Sequence, residues 1–494
     1  MSDGADKASS DGASDPRQTG WQLAMSTVWR SKIGVLGVLI TTVSAALILV
    51  ALLQDLLFGG LGPYAGIISY MMLPAGFLAG LALIPLALYL QRRRALRGEP
   101  EKSSRLVLDL TNPKHQRLLV FVSGMSVVNL ALLSVLGYQA YHFTESTAFC
   151  GKLCHSVMEP EYTAYQRSPH ARVACVECHI GSGASWFVKS KISGLRQVWG
   201  VLTDDFSKPV PAPIHNLRPA RDTCEQCHWP EVFHGTRPKI FYHYSDEGSV
   251  EDPEISAVML HVGGHDKKTG SYQGIHWHVS RDLQVQYRAL DEKRAQIREV
   301  KVVRTDGSEK LFVNKAMPEV PEGTEWRRMD CVDCHNRPTH IYDTAEDSVD
   351  GQIRQGRLDP TLPEYRSAAL EVVQAAYPSR EAARQGLVDN LLKFYTEKHP
   401  EVAQARRADI EKQAAVLYEQ VWSANIYPAM KITWGTYPTQ LGHHNDSGCF
   451  RCHADQHSTD TGETISQDCD QCHNLVVQEQ KLSELDENIK HLLF

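Results

Sequence analysis

The stretch Cys150-GKL-Cys154-His155-SVMEPEYTAYQRSPHARVA-Cys175-VE-Cys178-His179 holds two cysteine pairs, each followed directly by histidine. The pattern returns at Cys224-EQ-Cys227-His228, Cys331-VD-Cys334-His335, Cys449-FR-Cys452-His453 and Cys469-DQ-Cys472-His473, which uses all 12 cysteines of the 494-residue chain. With 22 histidines in total, finding one after all six pairs by chance has odds of about 10⁻⁸. The unit has a mechanical reason. Two thiols at i and i+3 reach the two vinyl groups of one macrocycle, and the next imidazole meets its iron. Zinc also favours paired cysteines but does not require histidine after every second one, and no cysteine lies outside the pairs to build a disulfide framework. Six covalently bound haem c groups are expected. The first motif carries one extra residue between its cysteines.

Six irons have up to six further axial positions, and 16 histidines remain outside the motifs. His276 and His278 sit two apart on an expected strand, which points both to one face. His340, five residues after His335, suits a neighbouring haem rather than its own. The same holds for His457, four past His453, and for His443 ahead of Cys449. Two strong ligands per iron leave no open position and make an electron carrier, whereas an open position would permit substrate reduction. The surplus of histidines favours the carrier.

Composition sets the frame around these motifs. A chain 43% hydrophobic and 22% charged is globular, and a net charge of −7 leaves no basic footprint for nucleic acid. Mean hydropathy is −0.30, yet three apolar runs lie early in the chain: 33–53, 63–90 and 118–141. The first, 21 residues without a charge, gives roughly 31 Å of helix, enough to cross the hydrocarbon core. Pro74 and Pro85 predict kinks in the second. Residues 1–32 read as a disordered cytoplasmic tail. Arg92, Arg93, Arg94, Arg97, Lys102, Arg105, Lys114 and Arg117 make 91–117 a cytoplasmic loop. Three crossings then place everything after Tyr141, with all six motifs, in the periplasm, anchored to the inner membrane.

The exported part divides by pattern. Residues 142–254 carry the first three motifs with sparse regular structure. Residues 255–345 hold a small antiparallel β insertion, with runs such as GIHWHV and REVKVVR and an Asp306-Gly307 hairpin turn, followed by the fourth motif. Residues 346–430 are helical, with Leu370, Val373 and Tyr377 on one face and Leu387, Leu391 and Phe394 on another. Residues 431–494 hold the last two motifs and a polar tail with helical spacing. The fold class is a three-helix transmembrane anchor plus a multihaem cytochrome c domain.

Entered from a membrane helix, the stretch from Cys150 to His179 and the following IGSGASWFVKSKISG resemble the NapC/NirT family of membrane-anchored quinol dehydrogenases. The later CEQCHWPE, GIHWH, CVDCHNRPTH and GCFRCHADQH resemble the longer inner-membrane multihaem cytochromes of metal-reducing bacteria. The resemblance implies electron flow from menaquinol towards periplasmic carriers. It also implies a distal haem ligand in His170, a ligand of the first haem in Met158, and a quinol-site residue in Lys189 of the Lys189-Ser-Lys191 pair. That family has one membrane helix and four haems, against three helices and six motifs here.

A quinol site also has support from position alone. The first motif begins nine residues after the third apolar run ends, and quinol oxidation releases protons that titratable groups must take. His142, Glu145, Glu159, Lys189 and Lys191 are the local supply. The partners expected are the quinol pool and a periplasmic c-type cytochrome or reductase. The rival reading is a terminal reductase of nitrite or hydroxylamine. A pyridine haemochrome assay on the purified chain should return six haems per polypeptide, and a count of four or fewer would refute the six-motif reading.

Overall fold

The structure, a computed structural model, describes residues 31–58, 68–95, 111, 113–153, 155–181, 183–214, 218–229, 235–246, 250–265 and 272–494. The expected tail and most of the basic loop lie outside the described residues. The chain divides into two compact units, Met1–Leu153 and Cys154–Phe494.

In the first unit the apolar runs form helices α1 (Lys32–Phe58), α2 (Leu73–Ala95) and α3 (Pro113–Glu145). α1 and α2 cross at two glycines. A Cβ on Gly80 would come within 2.8 Å of the Thr41 backbone nitrogen, and one on Gly37 within 2.9 Å of the Gly80 carbonyl, so only the absent side chain lets the backbones meet. Ile48, Phe77 and Leu136 bury together, one from each helix. Leu36, Leu39, Val43, Leu47 and Val50 of α1 stay exposed, as a lipid-facing surface requires. Two segments, Lys32–Ala51 and Leu73–Leu90, are long and apolar enough to span a bilayer. The expected third run falls inside α3, a continuous helix of 33 residues, which does not join those two among the described residues. Pro74 lies in the first turn of α2, directly after a π-helical turn at Ile68–Met72, and Pro85 lies in its interior.

The second unit holds more helix before residue 230 than its motif density suggests: α4 (His155–Arg167) and the 20-residue α5 (Ala184–Thr203). Strands β1 (Thr236–His243) and β2 (Glu254–His261) pair antiparallel. β3 (Leu283–Ala289), β4 (Ile297–Arg304) and β5 (Glu309–Asn314) form the middle of a second sheet flanked by two-residue strands at Arg327–Arg328 and His457–Ser458. The Asp306-Gly307 turn joins β4 to β5. Gly307 sits at φ 82°, a conformation glycine adopts without strain, and Asp306 Oδ1 accepts from Ser308 N at 2.8 Å.

GIHWHV is not a strand. Residues Ile275–Val279 wind into a 3₁₀ turn. The C-terminal tail also departs from expectation. Its first part is the strand β6 (His473–Lys481), which pairs with β2 to complete the first sheet. Val477 buries against Ile255 and Ala257; an open β2 edge and a β-branched pair decide the matter over helical spacing.

The principal apolar core is helical. α6 (Ala345–Arg354), α7 (Tyr365–Gln374), α8 (Arg380–Lys398) and α9 (Arg407–Val416) bury Val349, Tyr365, Leu387, Leu391 and Ile410 together, with Trp422 from the turn after α9. Thr344 and Ser379 cap α6 and α8 through their hydroxyls, which satisfies otherwise orphaned N–H groups. Leu391→Ala removes a fully buried side chain. It should lower stability by about 3 kcal/mol, read as a fall in Tm while absorption at the haem band persists below the transition.

Candidate haem sites

Each described motif occupies one tight turn. Cys175–His179 and Cys331–Cys334 are single α turns, Cys224 closes the short helix Ala220–Cys224, and Gly448–Arg451 and Cys469–Gln471 are 3₁₀ turns. One turn suffices, because it brings residues i, i+3 and i+4 to one side. Asp330 anchors two motifs at once. Its Oδ1 accepts from Cys331 N at 2.7 Å, and its Oδ2 accepts from Ala220 N at 3.0 Å.

Five motifs line one continuous cavity of about 3520 Å³, several times the roughly 300–1,000 Å³ of a pocket for one small ligand. Successive motifs are spatial neighbours. Cys178 lies within electrostatic reach of Cys224 and Cys227, Cys224 neighbours Cys331, Cys334 neighbours Cys449 and Cys452, and Cys449 neighbours Cys472.

Histidines face one another in pairs inside this cavity. Ring centres lie 6.1 Å apart for His179 and His340, 5.9 Å for His228 and His170, 5.8 Å for His453 and His278, and 6.2 Å for His473 and His443. An imidazole nitrogen sits about 2 Å from a bound first-row metal, and the ring centre about 1 Å further, so two imidazoles on opposite sides of one iron have centres about 6 Å apart. The spacing fits a haem iron between each pair. His335 lies within electrostatic reach of His276 and His228.

The second ring nitrogen is spoken for. Nδ1 lies within hydrogen-bond reach of a backbone carbonyl in His170 (Pro338, 3.1 Å), His276 (Val262, 2.9 Å), His278 (Ile275, 2.7 Å), His340 (Glu161, 3.0 Å) and His453 (Ser466, 2.9 Å). Such a bond fixes the tautomer and leaves Nε2 for a metal. Burial lowers the pKa of His179, His278, His335 and His340, which keeps these imidazoles in the neutral, ligating form. Burial also pushes the Cys334 and Cys452 thiols up, to about 11 and about 12. The walls therefore suit an apolar macrocycle with neutral thioether links. Among the described residues no three His, Cys, Asp or Glu side chains converge to hold a bare metal ion.

Several expected residues fall elsewhere. A 3₁₀ helix turns by about 120° per residue, so His276 and His278 point apart rather than to one face, one towards His335 and the other towards His453. His457 is buried with Nε2 on the Ile297 carbonyl at 2.9 Å, and it is His278 whose ring faces His453. Cys154 lies outside the described residues, as does the side chain of His155; Cys150 lies in the π-helical turn Phe149–Leu153 and Met158 is half-buried on α4. His142, at the end of α3, packs edge-on against Tyr138 at 4.3 Å. Glu159 pairs with Arg380 at 2.5 Å. On α5 the Lys189 and Lys191 ammonium groups lie over Trp186 at 4.6 Å and Phe187 at 4.7 Å. Phe450, between the fifth pair of cysteines, went unnoticed in the sequence although it stacks on His443 at 4.2 Å.

The model of the NapC/NirT cytochrome c family, N-terminal region, matches residues 112–212. The cytochrome c-type protein ImcH of Geobacter sulfurreducens is 42% identical over 450 residues, which covers 90% of this chain and 88% of that protein. No solved structure matches the chain. On the strength of that relative and of the family region before it, the chain belongs to the NapC/NirT-type multihaem c-type cytochromes.

Proposed function

We propose that this protein is a membrane-anchored hexahaem quinol dehydrogenase, which oxidises menaquinol at lipid level and delivers the electrons to a periplasmic c-type cytochrome or reductase. The observation that carries the reading is the run of facing imidazoles, 5.8–6.2 Å apart, along one cavity. Bound haem c supplies reversible one-electron chemistry. The chain's residues would hold it there: the motif cysteines would tether it, and the motif histidines together with His340, His170, His276, His278 and His443, for motifs two to six in that order, would supply its imidazole ligands. Two imidazoles for each iron favour an electron carrier over a terminal reductase.

Three crossings with a cytoplasmic N-terminus put the haem unit in the periplasm. Support comes from the basic residues gathered in 91–117. For the quinol end, support comes from α5. It carries Lys189, Lys191 and Arg196 but no Asp or Glu, and it exposes Val188, Ile192, Leu195, Trp199 and Leu202 along one helical stripe. Such a helix suits the headgroup region of a bilayer. Quinol oxidation releases two protons. Lys189 and Lys191 are the candidate groups on that helix, whereas Glu159 is held by Arg380 and His142 belongs to the end of α3. For the acceptor end, residues 440–494 hold ten Asp and Glu against Arg451, Lys481 and Lys490, a local charge of −7 that would steer a cationic partner.

In vesicles loaded with reduced menaquinone the haem bands should shift to the reduced form, and a spectrum unmoved by excess quinol would refute the reading. Lys189→Gln should slow that reduction roughly tenfold or more while dithionite still reduces every haem. His278→Ala should convert one low-spin haem to high-spin in paramagnetic resonance, with haem content unchanged; a spectrum identical to wild type would remove His278 from the ligands.

A further inference from the structure

The fourth and fifth motifs are joined by the residues between their cysteines. Asp333, in Cys331-Val-Asp-Cys334, is 2% exposed. Its Oδ1 accepts from Tyr287 Oη at 2.7 Å, Arg294 Nη1 at 2.9 Å and Arg327 Nε at 2.9 Å, and its Oδ2 accepts from Asp330 N at 2.8 Å. Arg451, in Cys449-Phe-Arg-Cys452, is 8% exposed. It donates to three carbonyls on three segments: Gly448 at 2.7 Å, Arg294 in the turn between β3 and β4 at 2.9 Å, and Asp333 itself at 2.6 Å. The loop that presents Arg451 admits only glycine at 448, where φ is +40° and a Cβ would lie 1.6 Å from the Gly442 carbonyl.

The charges do not balance. Arg294, Arg327 and Arg451 bring three guanidiniums to one carboxylate, and among the described residues Arg451 forms no ion pair. Its cation is met by carbonyl dipoles alone, between Cys334 and Cys452, both of which feel its charge. A buried charge is poorly screened, and net local charge is one of the levers that set a haem potential.

On the reading that both motifs carry haem c, we propose that Arg451 is a positioning residue. It locks the fourth attachment turn against the fifth, and its charge holds both haems at higher midpoint potentials than the chain would otherwise give them, with Asp333 as the opposing charge. A cation stabilises the more negative, reduced state of a group beside it, so removal of Arg451 favours the oxidised state and removal of the Asp333 carboxylate favours the reduced one.

The test uses the full chain in lipid nanodiscs, with haem content from pyridine haemochrome and midpoints from redox titrations followed by paramagnetic resonance. Arg451→Gln should keep six haems and move two components to lower potential. Asp333→Asn should move the same two upward, and Arg451→Lys, which keeps the charge, should return them towards wild type. Unmoved midpoints, or shifts of the same sign in Arg451→Gln and Asp333→Asn, would overturn the proposal. If Arg451→Gln fails to assemble, Asp333→Asn and Arg451→Lys decide by the same signs. Fewer than six haems in the wild-type chain would instead overturn the hexahaem reading on which the proposal rests.

Discussion

A gap of about 6 Å between facing imidazoles is the constraint around which the haem-bearing part of the second unit is arranged. In three of the four pairs a backbone carbonyl holds at least one of the two rings in the orientation a metal needs. The carbonyl acceptors come from distant places: Pro338 orients His170, Glu161 orients His340, and Ser466 orients His453. No element of secondary structure can supply that by itself. Each pair therefore depends on several loops meeting in one place, which explains the short, heavily cross-bonded turns that carry the motifs.

The division of labour inside the unit follows. Apolar packing of the ordinary kind sits in α6 to α9, where Leu387, Leu391 and Tyr365 are fully buried. The cavity walls are mostly apolar, with charged groups set among them. Burial raises the pKa of Glu161 while Arg337, at 3.8 Å, acts to lower it, and its Oε2 lies 3.0 Å from His340 Nδ1. The bond to that nitrogen comes from the Glu161 backbone carbonyl at 3.0 Å, which fixes the tautomer.

The family region found by comparison, residues 112–212, reaches only α3, α4, α5 and two of the six motifs. The last four motifs, the sheets and the helical core lie beyond it, and there ImcH is the useful comparison because it aligns over most of the chain. The extension is more than an appendage. Asp330, from the fourth motif, anchors the helix that bears the third, and His340, just after the fourth motif, faces His179 of the second. The family region and the rest of the unit share one cavity.

The attachment residues were legible in the sequence because covalent chemistry fixes their spacing: two thiols and an imidazole must reach one macrocycle from one turn, whatever surrounds them. The apolar runs were legible for a similar reason, since bilayer thickness dictates their length. Facing histidines were not, because His340 and His179, or His443 and His473, are brought together by chain segments whose relative path no local pattern encodes. GIHWHV has strand composition, yet contacts at both ends wind it into a 3₁₀ turn and so send His276 and His278 apart. The tail at 473–481 became a strand because β2 offered an unpaired edge. Likewise nothing in Cys-Phe-Arg-Cys distinguishes Arg451 from a spacer; only the tertiary fold, by placing three carbonyls around its guanidinium and withholding a carboxylate, makes it a buried charge.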